Sequence, residues 1–149
     1  MLPKSVGVWL NGKKLEVNGF EEYTKLYHME DEENNIRIYD KIGTRWEVVF
    51  SLSEGKFRQV SFVNGICTSA GGTHVNVISD QIVDYLIKNM KKKDTKDCKI
   101  ENYIVKNNLW IFVNCMIENP AFSSQTKETM TLKPDKYGSD YTLSEKYLK

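Results

Sequence analysis

Gln125 and Lys127 are the pair whose types and spacing could do chemistry. An amide donor and an ammonium two positions apart can serve one anion, the charge attracting it and the hydrogen bond fixing how it sits. A terminal phosphate suits such a pair. Both residues lie between Asn119 and Met130, where the apolar run Leu109 to Ile117 ends at an Asn-Pro turn and opens into a small Ser/Thr loop. A backbone led out of a buried strand in this way holds a lysine at its root and leaves the tip reachable. The tripeptide alone reads as a solvated loop, so its surroundings must decide.

Other groupings compete with it. Gly71-Gly72-Thr73-His74 sets two glycines ahead of a helix start, as a phosphate cradle does. It lacks the P-loop spacing and the following Lys-Ser/Thr, so the glycines read as a tight entry turn with close packing, and His74 as hydrogen-bonded nearby. Lys88, Lys91, Lys92, Lys93, Lys96 and Lys99 form the basic cluster. They suit either a solvated helix end complementing the macrodipole or a sequence-independent phosphate contact. Cys67, Cys98 and Cys115 lack Cys-x-x-Cys spacing and have only His28 and His74 beside them. Reduced thiols are therefore expected, with no zinc site, as in an intracellular protein. No Ser/His/Asp triad is evident, and Glu32-Glu33 belongs to an acidic loop.

The elements that must position these groups follow from periodicity. Val6 to Leu10 alternates, stops at Asn11-Gly12 and returns through Leu15 to Val17 as a hairpin. Phe20, Tyr23, Leu26 and Tyr27 predict a helix over Gly19 to Met29. Ile36 to Lys41, Trp46 to Ser53 and Phe57 to Ile66 read as strands of an antiparallel meander punctuated by Gly43 and Gly55. A long helix follows Gly72, capped by Thr73, with Val75, Ile78, Ile82, Leu86 and Met90 on one face, ending near Lys93-Asp94. A short helix falls within Lys99 to Asn107, then the buried strand Leu109 to Ile117. A final helix starts near Leu143 with Thr142 or Ser144 as its cap, and its two turns imply a continuation. Trp9, Trp46, Phe62, Trp110 and Phe112 are expected in the core, with Cys67 and Cys115 as small buried groups.

A chain of 149 residues, 40% hydrophobic and 28% charged, is one globular domain by size. A net charge of +1 carries no overall pull toward nucleic acid, so any such role is local. No apolar run approaches the roughly 20 residues that span a bilayer, and the start has no signal-peptide pattern.

Asn119-Pro120-Ala121-Phe122-Ser123-Ser124-Gln125-Thr126-Lys127-Glu128-Thr129-Met130 resembles the glutamine-threonine-lysine loop of eukaryotic type IIA DNA topoisomerases. The resemblance extends in order through Val8 to Leu15, Arg45 to Val48, Gln59 to Ile66, Thr68 to Val75, Asp80 to Val83, Trp110 to Cys115 and Leu143 to Lys146. It covers nearly the whole chain, and Gly71-Gly72-Thr73-His74 is similar to a signature of the bacterial gyrases too.

The resemblance implies an α+β two-layer sandwich, a mixed or antiparallel sheet with helices on one face, of the ribosomal protein S5 domain 2-like kind. It implies that residues 1–142 are the transducer domain of the ATPase region and 143–149 the start of its C-terminal helix. Lys127 would then be catalytic, contacting the γ-phosphate of ATP with Gln125 assisting, and Lys91, Lys92 and Lys93 would touch duplex DNA from a lysine-rich loop. The implied parent is a nuclear, homodimeric, ATP-hydrolysing topoisomerase using ATP and Mg2+. Its Bergerat-fold (GHKL) ATPase domain and DNA gate would be this domain's partners in the same chain, with no membrane involved. None of the eight tyrosines sits in the family's Arg-Tyr cleavage context, and no acidic metal cluster is present, so the chain alone is expected to be inactive and cofactor-free. Two other readings stay open, a DNA-contacting module acting through the lysines and a structural scaffold.

Overall fold

The computed structural model describes residues 6–28, 36–93 and 100–148. Its centre is a five-stranded mixed sheet. The strands are β3 (Arg37–Ile42), β4 (Trp46–Leu52), β5 (Arg58–Val63), β6 (Ile66–Cys67) and β7 (Leu109–Cys115), in spatial order β3-β4-β7-β5-β6. A separate exposed hairpin, β1 (Trp9–Leu10) with β2 (Lys13–Lys14), turns at Asn11-Gly12 as the dipeptide predicts. The helices are α1 (Phe20–Lys25), α2 (Thr73–Lys93), α3 (Asn102–Lys106) and α4 (Glu145–Leu148).

The meander expected from three successive β-rich runs holds for the antiparallel β3–β4 pair and stops there. β7 enters between β4 and β5, antiparallel to the first and parallel to the second, with Val48 opposite Val113 and Ser61 opposite Val113 on its other edge. The physical reason lies in composition. Leu109-Trp-Ile-Phe-Val113 is apolar at successive positions, so it gains most from a central place with both faces covered. A parallel neighbour requires a crossover, and α2 supplies it. The run Phe57 to Ile66 is also broken: Asn64 at φ 51° and Gly65 at φ 79° make a left-handed two-residue turn that folds β6 back on β5.

Alternation along β4 and β7 sorts the core. Trp46, Val48, Phe50, Leu109, Ile111, Val113 and Cys115 face Val75, Ile78, Ile82, Val83 and Ile87 of α2. Each fully buried aliphatic side chain here contributes about 1.5–3 kcal/mol. The α2 stripe rotates toward Val83 and Ile87, while Met90 is exposed. The opposite face carries Val49 and Phe112, over which α1 lays Phe20 and Tyr23. The long helix thus covers one face as expected, and the short α1 covers part of the other.

Trp9 departs from expectation: it is 61% exposed, on a hairpin that pairs with no other strand among the described residues. Trp46 and Phe112 are buried, Phe62 and Trp110 half-buried. Cys115 is buried, whereas Cys67 is exposed at the end of β6. Ser144 caps α4, its Oγ accepting from Tyr147 N–H at 3.1 Å, and Leu143 is buried just ahead of the helix. Glu32, Glu33, Lys96, Cys98 and Lys99 lie outside the described residues.

Candidate functional site

The Lys127 loop is rooted at both ends. At the end of β7, the Asn64 side chain makes two reciprocal bonds to Ile117: its Nδ2 donates to the carbonyl and its Oδ1 accepts from the amide, each at 2.9 Å. Arg45 adds an exposed ion pair to Glu118 at 2.6 Å, worth less than about 1 kcal/mol. Asn119 then takes φ 48°, a left-handed conformation Asn tolerates, and Pro120 carries the chain out. Thr131 N–H donates to Ala121 O at 2.8 Å and Ser123 N–H to Thr129 O at 3.0 Å, closing the loop at its base.

Within the loop, Lys127 N–H donates to Ser124 O at 3.1 Å, and Ser124 Oγ lies 2.7 Å from Thr126 Oγ1. Lys127 itself has φ 58°, an unusual value for a side chain without a local backbone-bonding group. Gln125 and Thr126 are exposed and Lys127 is half-buried. The ammonium stands 5.9 Å from the Phe122 ring centroid. Among the described residues no carboxylate comes within ion-pair range of it. The contact to Phe122 is of the cation–π kind and leaves the ammonium with no carboxylate partner among the described residues.

Met130 ties this loop to the start of α2. Its side chain is fully buried in the main core. Ala70 N–H donates to Glu128 O, Met130 N–H to Gly71 O and Thr73 N–H to Met130 O, all at 3.0 Å. A Cβ on Gly72 would stand 2.7 Å from the Met130 nitrogen, so this approach requires glycine. The tight entry and close packing read from the glycine pair are therefore present.

Thr73 does not cap α2. Gly72 O accepts the first amides of the helix, from Val75 and Asn76. Thr73 Oγ1 instead donates to Leu132 O at 2.6 Å and accepts from Tyr137 O–H at 2.8 Å. A carbonyl from the segment after the loop outcompetes the local amide. Tyr137 is fully buried beside Trp46 and Tyr141, and burial pushes its phenol up to about 12, opposed by the Thr73 bond. His74 is fully buried too, its Nε2 3.1 Å from Thr68 Oγ1, and burial brings its imidazole down to about 4.

Lys91, Lys92 and Lys93 form the last turn of α2, as the helix read to near Lys93-Asp94 expects and unlike the loop that the resemblance implies. Among the described residues no group of three or more His, Cys, Asp or Glu side chains converges as metal ligands would. No described helix is long and apolar enough to cross a membrane. Sequence reasoning singled out Gln125 and Lys127, which the structure places together on one loop, but did not point to Met130, the Thr73–Tyr137 contact or Asn64 as what holds that loop. Only Asn64-Gly65, a turn dipeptide, offered a local signal.

A family model for DNA gyrase B matches residues 9–146. A DNA topoisomerase 2 of Caenorhabditis elegans is 48% identical over 98% of this chain, which covers 10% of that relative. DNA topoisomerase 2-alpha of Homo sapiens is 47% identical over 98% of this chain and is likewise covered for 10% of its length. The chain thus spans about a tenth of these relatives. Among solved structures, the ATPase region of Saccharomyces cerevisiae topoisomerase II superposes with TM-score 0.85 at 43% identity, over 97% of this chain and 36% of that one. The ATPase and transducer domains of DNA topoisomerase II from Balamuthia mandrillaris give TM-score 0.86 at 39% identity, with 97% and 36% covered. The ATPase domain of Thermus thermophilus gyrase B, at 21% identity and TM-score 0.62 over 87% of this chain and 37% of that one, shares the fold.

Proposed function

The chain belongs to the DNA gyrase B family, among the eukaryotic type II topoisomerases, and corresponds to part of their ATPase region; from that premise we propose that it is the transducer that reads ATP. Lys127, with Gln125, contacts the γ-phosphate of a nucleotide held with its Mg2+ by a neighbouring Bergerat-fold domain. The observation that carries this reading is an ammonium without an ion-pair partner among the described residues, on a loop whose base is bonded to α2. A unit-charge pair about 3 Å apart is worth roughly 5 kcal/mol at an effective dielectric near 20, before desolvation. Loss of the γ-phosphate removes that interaction, which biases the loop toward another position. In hydrolysis the same charge would stabilise the transferring phosphoryl group. The loop's bonds run to α2, and the Thr73–Tyr137 contact leads on toward α4 and thence the DNA gate.

On this reading the whole enzyme is a nuclear, dimeric topoisomerase passing one duplex through another. Residues 1–142 are its transducer domain, and 143–149 begin the helix that leads to the gate. The chain alone hydrolyses no ATP. The test is Lys127→Ala in the full-length enzyme, where kcat for ATP should fall about 100-fold with KM changed little. Unaltered turnover sinks the reading.

Lys91, Lys92 and Lys93 are proposed as a contact to duplex DNA, supported by three consecutive lysines closing the C-terminal end of α2. Such contacts are to phosphate and are sequence-independent. Neutralising all three should flatten the log K against log salt slope by about 0.9 per lysine engaged. An unchanged slope leaves them a solvated helix end.

A further inference from the structure

Ser61 on β5, Thr68 after β6 and His74 in the first turn of α2 are all fully buried and bonded in series. Ser61 Oγ lies 3.1 Å from Thr68 O and 2.6 Å from Thr68 Oγ1, and Thr68 Oγ1 lies 3.1 Å from His74 Nε2. His74 Nδ1 meets no partner among the described residues.

One proton arrangement satisfies the series, because each hydroxyl carries a single proton. The Thr68 carbonyl has none, so Ser61 donates to it. Ser61 Oγ is then an acceptor, and the Thr68 hydroxyl donates to it. Thr68 has no proton left for His74, so His74 Nε2–H donates to Thr68 Oγ1. The ring is the Nε2–H tautomer, and what stays unpaired is a bare lone pair on Nδ1. A buried orphan acceptor is more often tolerated than a buried orphan N–H.

The series ends on the Thr68 carbonyl, which also accepts from Gly71 N–H at 2.8 Å and Gln59 Nε2 at 3.3 Å. That fixes the turn over residues 68–71, and this turn supplies two of the three backbone bonds on which the Lys127 loop hangs, Ala70 to Glu128 and Met130 to Gly71.

We propose that His74 is a positioning residue for the Lys127 loop, donating Nε2–H into the Thr68–Ser61 series and thereby holding the 68–71 turn to which residues 128–130 are bonded. Its consequence for ATP rests on the phosphate-sensing reading of Lys127; its structural part does not.

The test is amide hydrogen exchange on this chain as wild type, His74→Leu, His74→Gln and Thr68→Val. Leu and Val remove the hydrogen bond while filling similar space. Exchange at the Ala70 and Met130 amides should accelerate at least about 10-fold more than in the β4–β7 ladder, and the Gln amide should restore much of the protection. Uniform acceleration, or none, in Thr68→Val overturns the proposal. So does a ring nitrogen spectrum showing the proton on Nδ1. Where His74→Leu fails to fold, Thr68→Val decides alone. In the full-length enzyme Thr68→Val should lower kcat for ATP several-fold with KM little moved. If Lys127→Ala leaves hydrolysis intact while Ala70 and Met130 respond as expected, the phosphate reading fails and the positioning role stands. If Lys127→Ala cripples hydrolysis and those amides do not respond, the positioning role alone fails.

Discussion

Met130 lies against Gly72 in a parallel backbone bridge, so close that any Cβ on Gly72 would stand within 2.7 Å of the Met130 nitrogen. Gly72 also has φ 140°, a conformation L side chains rarely adopt. The start of α2 and the root of the Lys127 loop are therefore one joint, and a methyl group suffices to pry it open.

Gly72→Ala should accordingly cost about 3 kcal/mol, combining overpacking with backbone strain. For a chain of this length that is a fall in Tm of roughly 6–12 °C by calorimetry. Exchange should rise first at Met130 and Thr73, whose amides bond across the joint. A Tm within a degree or so of wild type would mean that the two backbones do not touch as described.

Thr73 and Tyr137 give a graded comparison. Tyr137→Phe removes one donor and leaves the Thr73 hydroxyl its bond to Leu132 O, a loss of about 1 kcal/mol. Thr73→Val strands both the Tyr137 hydroxyl and the Leu132 carbonyl, so its cost should be about 2–3 kcal/mol. Urea midpoints at unchanged slope measure both. A smaller effect for Thr73→Val than for Tyr137→Phe would contradict the shared-hydroxyl geometry.

That comparison also marks where the chain is legible from its sequence and where it is not. The strand starting at Leu109, the Asn-Pro exit and the polar loop beyond are local patterns, and the structure has them, with the strand ending at Cys115 rather than Ile117. Thr73 has the right chemistry for a cap, but its hydroxyl went to a carbonyl 59 residues away, which no window along the chain contains. Met130 sits among Thr and Glu, and nothing nearby distinguishes an anchor from a loop methionine. The insertion of β7 between β4 and β5 is likewise non-local. Alternation around Trp9 correctly signals a strand without saying whether any face lies opposite it.

His74 makes stability depend on pH in a definite window. Its imidazole titrates at 6.5 when unfolded and about 4 when buried. Below pH 6.5 the unfolded chain binds a proton that the folded chain refuses, so stability falls with falling pH and levels off below about 4, a loss of about 3 kcal/mol. Asp140, held below its ordinary 3.8 by the Thr142 amide, contributes loss only under that value, so the windows separate. In His74→Gln the denaturation midpoint should be nearly flat from pH 6.5 to 4. An identical slope in both proteins would place the titrating group elsewhere.

Asn64 carries two burdens that a pair of substitutions separates. Its φ of 51° favours Gly or Asn, and its side chain answers both backbone groups of Ile117, a residue 3% exposed. Asn64→Gly keeps the turn and loses the two bonds, which should cost about 2 kcal/mol. Asn64→Ala loses the bonds and adds left-handed strain, a further 1 kcal/mol or so. Because Ile117 is where β7 releases the chain toward Asn119-Pro120, both variants should also loosen the Lys127 loop, raising exchange at Ser123 and Thr131 relative to Val113. Equal stability for Gly and Ala would remove the strain argument. Full protection at Ser123 and Thr131 would show that the loop is held from the α2 side alone, through Met130, and that the clamp at the strand end serves only the sheet.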